Sequence, residues 1–570
     1  MANFGERFLL GFTSPRSPHL ISEYIKVIDN NDLDGKTYNA EFQTKFYEVL
    51  SKNKVAGEEA GRAKNKAFAG RDKLTRMPQA LGFFITQSGK SFRVTEAGWL
   101  LEDDDLFEDV LLHQILKYQL PSRLHKEKET NKGFFYIKPF LELIRLIYTL
   151  EYLSYKELLI FGMTLTDYRN FDETVEKILK YRVKRKEIKK RNQSLRIFDY
   201  NVQLEVFKEL YGDIIEAGNI KTRESKTKTP EEYMKKKIAN WGDYTDSYFR
   251  LLRASGLVVY SEGRSLSISP ERKEEVEYIL KNVAREIEPV NCSRDEFDRY
   301  ISNPYIPSLL NDNKETLHRK LVEIGIVVDK GLTVFDLKKE LSKRRSTLKE
   351  MKITQQKNEL RNRSQKDIDD ILELFKAIRD QQIQPASMRP TLFEWNVWRA
   401  MSMINHGDIQ GNFIVDDSGL PISTASGGQS DIVGDYGDFR IGIEVTLSTG
   451  KKQYEMEGEP VSRHIGEMQR QKPSFGLFIA NSLNDSVVHH FYTLSHQNSK
   501  IYGGVVDVIP MNTDTFIEFF VNATKKEIHP NDLYSIHEFS TAYSRQALID
   551  GKTEEDWHKE VLKKAFEIVQ

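Results

Sequence analysis

Residues 431–447, DIVGDYGDFRIGIEVTL, constrain the fold more than any other stretch of the chain. Ile441, Ile443 and Val445 recur with period two, so they share one face of a strand, while Arg440, Gly442, Glu444 and Thr446 share the other. The run Asp431–Tyr436 precedes it, and Gly437-Asp438 between them suits a two-residue hairpin turn. Such a turn pairs Tyr436 with Phe439. Counting outward then sets Asp431 opposite Glu444, with Cβ atoms roughly 4.5–5.5 Å apart on one face. Two carboxylates so placed repel each other. Either a cation sits between them, for which Mg²⁺ with its preference for oxygen ligands is the natural candidate, or both acids face solvent on a surface hairpin. These residues alone leave both readings open.

The surrounding sequence changes texture at QQIQPASMRP, residues 381–390. Beyond it, short apolar runs such as SFGLFIA and IYGGVVDVIPM alternate with helical sequence, which predicts an α/β domain. Before it, residues 311–380 are rich in Lys and Glu with apolar residues at helical spacing, which predicts a helical linker. The first half carries two hairpin patterns, at Ala80–Glu96 and Leu251–Pro270, each preceded by helical sequence. Both fit small winged-helix modules, and Thr95 is placed to cap the helix that follows the first. The expected organisation is a multidomain α+β chain. Residues 1–290 form a mostly helical, winged-helix-like recognition region, residues 291–388 a helical linker domain, and residues 389–570 an α/β domain with a mixed sheet. A chain of 570 residues is too long for one core, which agrees with several domains.

Charge is unevenly spread although the formal net charge is only −1. Between Ser51 and Leu100 ten Lys/Arg face four Asp/Glu, and between Lys180 and Arg196 nine face one, Glu187. A third cluster is Lys221, Arg223, Lys226 and Lys228. Such patches supply sequence-independent attraction to nucleic-acid phosphates, although any one of them also reads as a solvated helix face. The single cysteine, Cys292, excludes an internal disulfide framework or a cysteine-rich zinc module. No G-x-x-x-x-G-K-[ST] or H-E-x-x-H occurs, which disfavours a P-loop ATPase and a zinc hydrolase. Without an apolar spanning run or signal-like start, a cytoplasmic location is expected.

Further acids accompany the hairpin. Glu394 shares a helical stripe with Val397, Trp398 and Met401, and a carboxylate on an apolar face needs a partner. Thr391 and Glu394 also fit a capping box. Glu457 lies just before Pro460, read here as a helix start, with Arg463 and His464 following.

The order of a helical Glu, then Asp–x12–Glu-Val-Thr, then MEGEPVSRH resembles the AlwI-type restriction endonucleases, type IIS enzymes with related strand-specific nicking enzymes. SPRSP at 14–18, GRDKLTRM at 70–77 and the wing at 92–98 extend the likeness. The resemblance implies a winged-helix recognition part, a linker and a C-terminal PD-(D/E)XK nuclease domain. It also implies an asymmetric five-base site, such as GGATC or GAGTC, cut a few bases downstream. Glu394, Asp431, Glu444 and Glu457 match its acidic active-site positions. Asp431, Glu444 and Glu457 are the expected Mg²⁺ ligands, with Glu394 the alternative to Glu457 for completing the shell or orienting the attacking water, and Arg463 or His464 is expected to steady developing negative charge. Ser430 stands where the general pattern has Pro, and Thr446 where it has Lys; Lys451 or Lys452 is a substitute for the latter. Arg16, Arg71, Lys73 and Arg76 are the candidates for double-stranded DNA contact. One catalytic core per chain cuts one strand, so cutting both requires a second, as in a transient homodimer. The rival reading is a winged-helix DNA-binding regulator whose nuclease-like domain is inactive.

Overall fold

The computed structural model describes residues 2–53, 55, 63–127, 132–218, 220, 229–260, 265–329, 331–404, 407–424 and 428–570. The basic cluster at 221–228 and the turn of the second hairpin, 261–264, lie outside the described residues. Contacts divide the chain into two units, Met1–Thr347 with Asp416–Ser418, and Leu348–Val415 with Gly419–Gln570. The stretch expected as a separate linker, 291–388, is shared between them, and the division falls within the helix Val334–Leu360. The break expected at residues 381–390 lies within the second unit: residues 380–387 separate the helices Gln365–Arg379 and Met388–Ile404, and residues 388–390 open the second of them.

In the first unit both hairpins are present. Phe84–Ile85 pairs antiparallel with Arg93–Val94, and the latter segment is flanked by a bridge from Ser91 to Thr37. Val258–Tyr260 pairs with Ser265–Ile268, whose other edge takes Tyr152–Ser154. Each small sheet therefore has the same order: an earlier segment, then the second hairpin strand, then the first. Thr95 caps the helix Glu96–Leu101 as expected, accepting from the Gly98 N–H at 3.1 Å.

The second unit is built on a five-stranded mixed sheet. Its order is Val508–Asn512, Ser474–Ala480, Arg440–Thr446, Ile432–Asp435, Asp408–Gly411. The first three strands run parallel, and the last two pair antiparallel. Ser474–Ala480 is buried throughout, as a central strand covered on both faces must be. The hairpin register is the one the turn dictates: Asp435 pairs with Arg440 and Ile432 with Ile443, and the Tyr436 N–H donates to the Phe439 carbonyl at 3.0 Å. Gly437 takes φ 86°, a conformation glycine adopts without steric cost at a tight hairpin turn.

Two helix starts differ from expectation. The helix Lys451–Gln469 begins nine residues before Pro460 and runs through it. One missing N–H is tolerated because a continuous face, Gln453, Gly458, Val461, Ser462, Ile465 and Gly466, stays buried. Likewise the helix Met388–Ile404 already includes Thr391, so Thr391 is interior and the capping box does not form. Pro390 falls in the first turn, where no intrahelical donor is needed, and so does not delay the start.

Candidate active site

One residue outward from Ile432↔Ile443, the register sets Asp431 beside Glu444. Asp431 is held at the strand end by the Val445 N–H, which donates to its Oδ2 at 2.8 Å. Glu444 is 6% exposed. His464, from the helix Lys451–Gln469, approaches it with Nδ1 2.8 Å from Oε1. A carboxylate only accepts, so His464 Nδ1 carries the proton, and its Nε2 is buried without a hydrogen-bond partner. From the same helix Glu457 reaches the next position on that face of the strand. Thr446 Oγ1 donates to Glu457 Oε1 at 2.7 Å, with Ser448 Oγ at 3.4 Å. The helix can lie this close because Gly442 has no side chain. A Cβ there would stand 2.4 Å from Ile465 Cδ1 and 3.0 Å from Met468 Sδ.

Glu394 enters from the helix Met388–Ile404, is also 6% exposed, and leaves Oε2 without a hydrogen-bond partner. Burial, then the charges of Glu444 and Glu457, push its carboxyl up to about 8. Burial, then Glu394 and Glu444, raise Asp431 well above the ordinary carboxylate range, against the opposing Val445 hydrogen bond. The four acids therefore share one electrostatic neighbourhood that is short of positive charge. An all-oxygen donor set with an orphaned buried carboxylate oxygen fits a hard divalent cation better than a soft one.

Among the described residues, the one group of three whose ligand atoms lie within 4.8 Å of one another is elsewhere: Asp109, His113 and Asp312, in the first unit. There the cation is already supplied. Lys338 Nζ lies 2.7 Å from Asp109 Oδ2 and 2.6 Å from Asp312 Oδ1. No three of the four sheet acids bring their ligand atoms that close together.

Other candidates are placed differently. Lys451 and Lys452 open their helix, exposed, and neither forms an ion pair with the four acids among the described residues. Arg463 is engaged by its own helix, with Nε 3.4 Å from Glu459 Oε1. Arg71 and Lys73 lie on the helix Lys66–Thr75, and Arg76 caps its end. Arg71 is exposed with its guanidinium 4.9 Å from the Phe68 ring centre. Arg76 is exposed and paired with Asp72 at 2.8 Å. Lys73 is half-buried over the Tyr24 ring, and Arg16 is exposed near Asp243 and Asp246. Phe68 is 41% exposed on that helix.

The AlwI restriction endonuclease family profile matches residues 79–519, well over half of the chain. The chain belongs to the AlwI restriction endonuclease family. That makes it a restriction endonuclease, a site-specific deoxyribonuclease that binds DNA. No curated protein matches the chain. Among solved structures, the small subunit (R.BspD6I2) of the heterodimeric restriction endonuclease R.BspD6I is 26% identical. That match covers 34% of this chain and 97% of that one, with a TM-score of 0.28. The BpuJ1 endonuclease binding domain, solved with pyrene- and phenanthrene-modified DNA, is 15% identical over 50% of this chain and 92% of that one, with a TM-score of 0.31. The assignment rests on the family match and not on these loose superpositions. No helix among the described residues is long and apolar enough to cross a membrane.

Proposed function

We propose that this family member is a Mg²⁺-dependent type IIS endonuclease of the PD-(D/E)XK kind, acting in the cytoplasm and cutting a few bases downstream of a short asymmetric site. The observation that carries the reading is the hairpin register, which brings Asp431 beside Glu444 at the strand ends with Glu394 and Glu457 alongside. In this reading Asp431, Glu444 and Glu457 hold Mg²⁺, which when bound polarises the scissile phosphate and lowers the pKa of a water. Glu444 is fixed by His464, and Glu457 is fixed by Thr446. The residue in the usual lysine position thus acts by orienting an acid. Glu394, protonated near neutral pH without a cation, is poised to give up its proton when positive charge arrives. His464 is a positioning residue here, since its Nδ1 is committed to Glu444.

Recognition is assigned to the first unit. Two modules with the same strand order support winged-helix character, and the helix Lys66–Thr75 precedes the first hairpin where such modules carry the helix that enters the groove. Of the candidate residues, Arg71 on this helix and Arg76 at its C-cap are exposed, Lys73 is set back, and Arg16 lies earlier in the chain. With one catalytic core per chain, a single chain nicks one strand, and double-strand cleavage needs a second core from a transient partner. Digestion of a plasmid with Mg²⁺ followed by sequencing of the ends tests the proposal. Ends at one fixed offset from a common asymmetric motif support it; site-specific binding that leaves every plasmid intact supports the regulator instead.

A further inference from the structure

The nine basic residues between Lys180 and Arg196 fall on a helical hairpin, Phe171–Lys190 returning as Leu195–Glu216, with Asn192 at φ 54° in the turn. Three of them have structural duties. Lys180 pairs with Glu176 at 3.3 Å, Arg182 with Glu157 at 2.7 Å, and Arg185 with Asp199 at 3.0 Å. Arg182 also donates to the Tyr152 carbonyl at 2.6 Å, which ties the hairpin to the strand Tyr152–Ser154. The other six, Lys184, Lys186, Lys189, Lys190, Arg191 and Arg196, are exposed, and none forms an ion pair among the described residues. Five of these lie within eight residues, about 11 Å of helix.

A helix C-terminus favours cations in its last turn, which accounts for Lys189 and Lys190. It does not account for Lys184 and Lys186, a turn further back. Arg196 stands in the first turn of the returning helix, the end where the helix dipole disfavours a cation. Lys156 registers the crowding: burial, with Arg185 and Arg196 adding to it against Asp199, holds its ammonium below the ordinary value. Beside these charges Val183 and Ile197 are 61% and 62% exposed and Tyr200 49%. A cationic tip with apolar flanks matches a phosphate backbone with its sugars.

We infer that the tip of this hairpin is an arm that grips DNA phosphates without reading sequence, separately from the candidate recognition residues. The inference rests on the chain's being a DNA-cutting enzyme. Each phosphate that is no longer neutralised flattens the slope of log K against log salt by about 0.9. The test uses the full chain and a 40-base-pair duplex of arbitrary sequence, without divalent metal, over a salt series. The quadruple variant Lys184→Ala, Lys186→Ala, Lys189→Ala, Lys190→Ala is expected to flatten the slope by about two units and bind roughly tenfold or more weakly at 0.1 M salt. Four Lys→Arg replacements are expected to restore both. Wild-type slope and affinity in the alanine variant overturn the arm while leaving the nuclease reading standing. Loss of binding to anionic vesicles with DNA binding untouched overturns it equally. If the wild-type protein does not bind the duplex at any salt concentration, the enzyme reading fails first.

Discussion

Glu394 is a buried acid beside other acids, and its titration has a consequence for stability. Its carboxyl is raised from 4.5 to about 8 in the folded chain, so between those values the folded state holds a proton that the unfolded state has lost. Stability rises with pH only where the unfolded state binds more protons. Here the order is reversed. The contribution is intact below about pH 4.5 and drains away as pH climbs through 8. Metal-free protein is therefore expected to denature at progressively lower temperature from pH 6 to 8.5, and Glu394→Gln to flatten that slope. Thermal denaturation in a chelator checks it; equal slopes in both proteins would speak against the burial and crowding described. Mg²⁺ is expected to raise the midpoint more at pH 8 than at pH 6, because it replaces the proton. Thr446 makes a second residue-scale case. Thr446→Ala removes the 2.7 Å hydrogen bond to Glu457 and is expected to slow cleavage about 10- to 100-fold with DNA affinity unchanged, while Thr446→Ser recovers most of the rate. Steady-state kinetics on a plasmid substrate distinguishes these from a loss of binding.

At the scale of elements, the site depends on how closely the helix Lys451–Gln469 lies on the sheet. Gly442→Ala places a methyl 2.4 Å from Ile465 Cδ1 and 2.9 Å from Ser430 Oγ. The side-chain ends of Ile465, Met468 and Ser430 must give way, at about 1–3 kcal/mol, beneath the helix that carries Glu457 and His464. Chemical denaturation should show that loss, and cleavage well below the melting temperature should fall further than folding alone explains. The hairpin was legible because a two-residue turn and strict alternation leave one register. Slipping by one residue would turn Ile441 and Ile443 onto the other face. Helix limits were less legible. Pro460 and the Thr391–Glu394 pair both read locally as starts, yet packing along a whole face outweighs a single missing donor. The pairing of His464 with Glu444 and of Thr446 with Glu457 joins a helix to a strand, and no spacing rule within either segment reveals it.

For the molecule as a whole, three domains were expected and the chain forms two units. The helical texture of residues 311–380 carries no signal for where one unit yields to the next, since Val334–Leu360 is a continuous helix across the division. Each chain carries one set of the four acids, which sets the order of events on a closed circular plasmid. Nicked circles are expected first at all enzyme concentrations, with linear product rising more steeply than linearly with enzyme; linear product appearing without a nicked intermediate would contradict one centre per chain. A gel time course over a range of enzyme concentrations reads both. The most direct measurement is the initial rate of supercoiled-plasmid cleavage in Mg²⁺ by Asp431→Asn, at concentrations where its DNA binding equals wild type. Acids sharing a metal at the strand ends predict no scission above background. Cleavage at the wild-type rate would contradict that account.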